Sequence, residues 1–288
     1  MIYLQDFFRH VSMVCGISPC TLETYQVTVR LFSSWLTNHR HYDCDEVTMH
    51  DIADFLASER ERGCTAATCN IRLSALRVYF DYLCRFHGLP GNPTADIRPM
   101  KKPKSMPESI DENTMQKILS QFDMTSWHGA RAFAIIITLY MCGFRISELR
   151  TCRRDDVNFN TNMIRVHGKG SKTRQVPMSS KVSKALRNWL QFRMGECPEL
   201  FTDNHGNRLT DDQLRYVIRR ALAPFVPARL AHPHALRHTF ATTLIQHSVP
   251  LTVVSSMMGH SSLATTFVYI SAASTEQNPF DLWQNGNI

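Results

Sequence analysis

No stretch of this 288-residue chain approaches the ~20 consecutive apolar residues that cross a bilayer, so no membrane partner is expected. Its opening, MIYLQDFFRH, lacks a basic segment followed by an apolar core, which is not the pattern of a secretory signal. The product is expected to stay in the cytoplasm. Nine cysteines are present, but they form no CxxC pair and their number is odd, which argues against both a zinc site and a disulfide framework. Most fall inside apolar helical patterns, where a free thiol behaves as a small hydrophobe. Low-complexity tracts and internal repeats are missing too. The segment HALRH contains HxxxH without the adjacent glutamate a metalloprotease needs as base. No metal and no cofactor are expected.

What is present is a soluble-globular composition, 43% hydrophobic, long enough for one large domain or two ordinary ones. Net charge is +7 and unevenly spread. Residues 1–100 carry nine Lys and Arg against eleven Asp and Glu, whereas residues 101–288 carry twenty-three against fourteen. A basic excess confined to the C-terminal two thirds points to a polyanionic partner bound there.

The first ninety residues read as helices. Leu22, Tyr25, Val29, Phe32 and Leu36 are spaced three and four apart, giving one buried stripe, and Ser18 followed by Pro19 makes a cap and first turn. A second helix begins at Thr48, where Asp51 completes a capping box; it buries Ile52, Phe55 and Leu56. A third runs over 65–85 with Leu73, Leu76, Phe80 and Leu83 inward, and ends near Gly88 and Pro90. Residues 91–108, GNPTADIRPMKKPKSMPE, hold four prolines and four basic residues and read as a linker.

A second domain over 109–288 opens with a capping box from Ser109 to Glu112. Residues 130–142 are nearly all apolar, the mark of a fully buried helix, and Gly143 is placed to stop it. A short helix containing Glu148 follows, then a β-hairpin, NMIRVH and TRQVPM around the turn GKGSK. Further helices are predicted at about 179–194, 211–224 and 234–247, with shorter ones to about 270. The fold class is therefore mainly α with a small β-sheet, in two domains.

Six residues need explaining together: Arg145 in GFRISELR, Lys169 in the hairpin turn, His234 and Arg237 in HALRH, His260 in MMGH, and Tyr269 in FVYI. Taken singly, each has an ordinary structural reading: an ion pair, a solvated loop lysine, a surface pair on one helical face, a C-cap, a core aromatic. Their order and spacing change the odds. R-x-x-E-L, a hairpin lysine, H-x-x-R, G-H and then a tyrosine form one series, which resembles the tyrosine recombinases, the phage-integrase type. The hairpin GKGSKTRQVPM and the stretch HPHALRHTFATTLIQH are most similar to the bacterial Xer subgroup. The likeness covers nearly the whole chain, because the N-terminal helices look like the family's core-DNA-binding domain.

Elementary chemistry agrees. Transesterification of a phosphodiester passes through a pentacoordinate phosphorus with extra negative charge, which preformed cationic donors stabilise. A guanidinium binds two phosphate oxygens at once and stays charged, so Arg145 and Arg237, with His260 as a further donor, would clamp it. A phenol with pKa near 10 is a poor nucleophile without such help. The resemblance implies that Tyr269 attacks to give a 3′-phosphotyrosyl link, that Lys169 is the general acid for the leaving 5′-oxygen, and that His234 assists proton transfer or orients the phosphate. Bond energy stays in the covalent link, so ATP and metal are not required. Glu148 is expected to brace the site.

The resemblance also implies a clamp of two domains around double-stranded DNA with paired inverted core sites, and a homo- or hetero-oligomer, a tetramer on two sites. Arg72 and Arg77, on the polar side of their helix, are candidates for the groove; Lys172 and Arg174 on the hairpin are candidates for the backbone. Phe280, Leu282 and Trp283 suit a tail that docks on a neighbouring protomer. About 108 residues precede the catalytic domain, which leaves no room for an arm-binding domain, and no integron-type insertion lies between Phe201 and His234. Two rivals remain: a type IB topoisomerase that relaxes one duplex, and a non-catalytic DNA-binding protein.

Overall fold

Local capping chemistry sets most of the helix starts. The structure, a computed structural model, describes residues 3–39, 46–101, 108–168, 173–259, 265, 266 and 269. Lys169, Lys172, His260 and the 275–288 tail lie outside the described residues. By contacts the chain divides into two units, Met1–Lys104 and Ser105–Ile288.

In the first unit, α2 (Pro19–His39) starts where the Ser18 hydroxyl accepts the Thr21 amide. The Thr48–Asp51 capping box opens α3 (Met49–Glu61), and Thr65 caps α4 (Ala66–Phe86) through the Thr68 amide. Phe32 of α2 meets Phe55 of α3 and Phe80 of α4 edge-on, at ring separations of 5.1 and 6.0 Å. Each fully buried ring of this kind contributes roughly 1.5–3 kcal/mol.

A helix not anticipated above, α1 (Leu4–Met13), adds Phe7 and Val11 to this core, with Phe7 against Tyr79 and Tyr82 of α4. Its N-cap, Tyr3, makes no side-chain cap bond, so the usual start signal is missing.

The expected linker is in part a fixture of this unit. Asn70 of α4 bonds both to the Met100 carbonyl and to the Met100 amide, Arg77 donates to the Ile97 carbonyl, and Asn92 donates to Asp81. Proline and charge read as solvated chain, but the backbone of Ile97 and Met100 is tied to Asn70 and Arg77 of α4.

The second unit begins with α5 (Glu112–Ser120), capped by Asp111, which accepts the Thr114 amide at 2.8 Å. Ser109 does not cap it, because Ile110 is buried with its amide on the Thr239 hydroxyl, and the helix starts only after that residue. The apolar α6 (Trp127–Cys142) begins one turn earlier than predicted, at the Ser126 cap, and runs through the centre of the unit. It packs most extensively against α8 (Ser180–Phe192) and α10 (Pro233–Gln246). Between α6 and α8 come α7 (Ile146–Thr151) and an antiparallel sheet, order β1-β2-β3. Strands β2 (Met163–His167) and β3 (Thr173–Pro177) are the predicted hairpin; β1 (Val157–Asn158) adds a short third strand. Ile164, Val166 and Val176 turn the sheet's inner face to the core. The remaining helices are α9 (Asp211–Leu222) and α11 (Leu251–Met258). Among the described residues no helix is long and apolar enough to cross a membrane.

The turn after α6 is the tightest constraint. Gly143 sits at φ 63°, and a Cβ there would lie 2.3 Å from the Phe240 ring. Gly143→Ala should therefore cost roughly 1–3 kcal/mol, read in thermal unfolding as a lowered Tm at about 2–4 °C per kcal/mol for a unit of this size. An unchanged Tm would contradict this account of the corner.

Candidate active site

The same corner builds the site. After Gly143 and the buried Phe144, Arg145 becomes the N-cap of α7, and its own amide is taken by Glu148 Oε2 at 2.8 Å. Its Nη1 returns to Glu148 Oε1 at 2.8 Å, and Nη2 reaches the Gly259 carbonyl at 3.3 Å. The side chain stays 36% exposed, open to an incoming anion.

Arg237 approaches from α10. The His232 ring caps that helix by accepting the Ala235 amide, with Pro233 in the first turn. One turn on, Arg237 points inward and is 4% exposed. Its Nη1 donates to the Gly143 carbonyl and its Nη2 to the Met258 carbonyl, so the ends of α6 and α11 hold its plane. A guanidinium carries five N–H donors, so these two bonds orient the fork without exhausting it. Burial and the neighbouring Arg145 push its pKa down to about 10, which leaves it charged at neutral pH.

Glu148 joins these groups. Besides Arg145 it receives Arg174 on both oxygens, at 2.8 and 3.0 Å, and Arg237 stands 3.9 Å away. Burial alone would raise its pKa; the bonds from Arg174 and Arg145 overcome this and hold it below the usual carboxylate range. Arg174 also donates Nε to the Met257 carbonyl at 2.8 Å and is 15% exposed. Expected as a backbone contact, it is instead placed in the brace. It shares the inward parity of β3 with Val176, a signal present in the strand's alternation.

Arg72 and Arg77 likewise do not project from a polar face. Arg72 is 15% exposed and ion-paired with the buried Glu59, and Arg77 is spent on the Ile97 carbonyl.

Tyr269 lies against Phe240, Ala241, Val254 and Met258 and is 4% exposed. Burial raises its pKa, while the charges of Arg237 and Arg145 act in the opposite direction, so the phenol stands within electrostatic reach of both arginines of its own chain. Its hydroxyl is 2.7 Å from Nδ1 of His238, a residue the reading above treated only as half of a discarded metal motif. His234 and His238 are four apart on one helical face, and that spacing was the available signal. Their ring centroids are 6.4 Å apart, and His232 follows His234 at 6.5 Å, so three imidazoles form a row that ends at the tyrosine. His234 is exposed; partial desolvation, then His232, Arg237, Arg215 and Arg145, lower its pKa.

Fixed guanidiniums beside a sequestered phenol are a set of groups suited to phosphodiester chemistry. The comparisons make the class specific. Residues 108–276 match the model of the phage integrase family, and residues 4–87 match that of its N-terminal SAM-like domain. The chain is 34% identical over 273 residues to the tyrosine recombinase XerC of Alcanivorax borkumensis, covering 92% of this chain and 88% of that protein.

Two solved structures share the fold at a TM-score of 0.76. One is the Tn1549 transposon integrase in complex with transposon right-end DNA, 19% identical, covering 99% of this chain and 98% of that one. The other is the XerH site-specific recombinase in a post-cleavage complex on a palindromic difH substrate, 21% identical, covering 98% and 84%. The chain belongs to the phage integrase family, the tyrosine recombinases, and is a DNA strand transferase of the site-specific recombinase class.

Glu148 has a pH signature. Its folded pKa is depressed, so its contribution to stability is complete above the unfolded glutamate value, about 4.3, and is lost as pH falls through the lower folded value. Glu148→Gln leaves three guanidiniums without their counter-charge and should cost roughly 3–5 kcal/mol. In urea titrations across acid pH, the wild-type midpoint should fall below about pH 4 more steeply than that of the variant. Parallel curves would refute the brace.

Proposed function

We propose that this recombinase cleaves double-stranded DNA through attack of Tyr269 on a phosphate held by Arg145 and Arg237, forming a 3′-phosphotyrosyl link that a second strand's 5′-hydroxyl then resolves. The observation that carries this reading is the phenol of Tyr269 buried within the field of both arginines. Among the described residues, three guanidiniums surround one carboxylate, leaving a formal excess of two positive charges. A phosphodiester carries one negative charge and its pentacoordinate transition state carries two, so the excess favours the transition state over the ground state. Lys169 and His260, from their positions in the series, would supply the general acid and a further phosphate donor, with His234 orienting the phosphate. The covalent link conserves bond energy, so ATP has no part in the cycle.

The partner is duplex DNA with paired inverted core sites, and the acting form is a tetramer on two sites, tied together by the 275–288 segment with Phe280, Leu282 and Trp283. Integration, excision and dimer resolution are outcomes of this one chemistry on different site arrangements. Relaxation of a single duplex, the topoisomerase alternative, is not favoured by the recombinase relatives.

Mapping the DNA covalently trapped by the protein defines a site on which a nicked suicide duplex can be built. On it, Tyr269→Phe should bind but give no adduct, and Arg145→Ala should cleave 10²–10³-fold more slowly, about 2.7–4 kcal/mol. An adduct from Tyr269→Phe, or wild-type rates from Arg145→Ala, would reject the assignment. Removing residues 275–288 should spare cleavage and abolish synapsis in native gels; intact synapsis would remove the tail from the assembly.

A further inference from the structure

We propose that His238 receives the Tyr269 hydroxyl proton during strand cleavage and returns it during rejoining. The inference rests on reading Tyr269 as the nucleophile. Nδ1 of His238 lies 2.7 Å from the tyrosine oxygen, with the two ring centroids 5.4 Å apart. His238 follows Arg237 directly on α10, and Arg237 is pinned by the Gly143 and Met258 carbonyls, so the acceptor and half of the phosphate clamp move as one rigid piece. His234, the histidine of the H-x-x-R pair, is one ring further from the phenol along the row.

The groups around His238 set its protonation. Burial comes first, then His234, His232 and Arg237, which lower its pKa to about 4. At neutral pH the ring is therefore uncharged and Nδ1 is free to accept. So weak a base does not strip a resting phenol, whose own pKa is raised. It has no need to. As the tyrosine oxygen bonds to phosphorus, its proton becomes far more acidic than an imidazolium, and transfer turns downhill within the transition state. The bound phosphate's negative charge raises the ring's proton affinity at the same moment.

The step balances. The Tyr269 O–H bond breaks and its proton goes to Nδ1; the oxygen–phosphorus bond forms; the P–O5′ bond breaks, and the leaving oxygen takes its proton from a separate acid. In rejoining, the imidazolium returns its proton to the departing tyrosine oxygen.

Single-turnover cleavage by the full-length protein on the nicked duplex tests this, using His238→Asn and His238→Ala between about pH 6 and 9. Asparagine places a carbonyl oxygen near the Nδ1 position, so it still accepts a hydrogen bond but does not carry a proton. Both variants should bind DNA as the wild type does. They should cleave at least about 10²-fold more slowly at neutral pH and recover as pH rises and hydroxide takes the proton. Added imidazole should restore part of the rate to His238→Ala. If the alanine variant does not fold, His238→Asn carries the test through its pH profile. Wild-type cleavage by His238→Asn, or a loss equal at every pH, overturns the proposal. A wild-type protein that forms no adduct would instead defeat the reading of Tyr269.

Discussion

One buried carboxylate organises the catalytic unit. Glu148 draws Arg145 from the corner after α6 and Arg174 from the sheet, and sits beside Arg237 from α10, so three elements distant in sequence meet on two oxygens. Guanidiniums in so confined a space repel one another, and that repulsion grows as water is excluded. A single negative charge relieves part of it and leaves a formal excess of two positive charges. The backbone takes the same part: the carbonyls of Gly143, Met257, Met258 and Gly259 each accept from one of the three arginines. These are the free carbonyls of helix C-termini, whose partial negative charge suits a cation.

Tyr269 is kept on different terms. Where the arginines are charged and fixed, the tyrosine is neutral, buried and hydrogen-bonded to an uncharged imidazole. Burial thus stores the phenol with its proton on. The site therefore separates permanent charge, built into the fold, from a neutral and sequestered phenol.

How much of this was legible depended on range. Helix starts governed by a nearby hydroxyl or carboxylate, at Ser18, Thr48 and Thr65, were readable because cap and amide are three residues apart. The start of α1 was not, since Tyr3 offers no such cap, and Ser109 misled because a partner 129 positions away, Thr239, claims the Ile110 amide. The mainly helical architecture with a small sheet follows from periodicity, and it holds. Charged residues were harder to place. A sequence shows that Arg72, Arg77 and Arg174 are basic, but not that Glu59, the Ile97 carbonyl and Glu148 wait for them. Strand parity with Val176 argues for an inward Arg174, and Glu148 is what meets it there. His238 was visible as a helical neighbour of His234, but its meaning required the fold to bring residue 269 back to α10.

Gly143 has a consequence of its own. Its carbonyl orients Arg237, and two residues later the chain delivers Arg145, so the separation of the two guanidiniums is gauged by a short piece of covalent backbone. A spacing set by one hydrogen bond and two residues of backbone is less sensitive to drift in the surrounding packing. The core around the corner can therefore be repacked while the approach of the two arginines is kept.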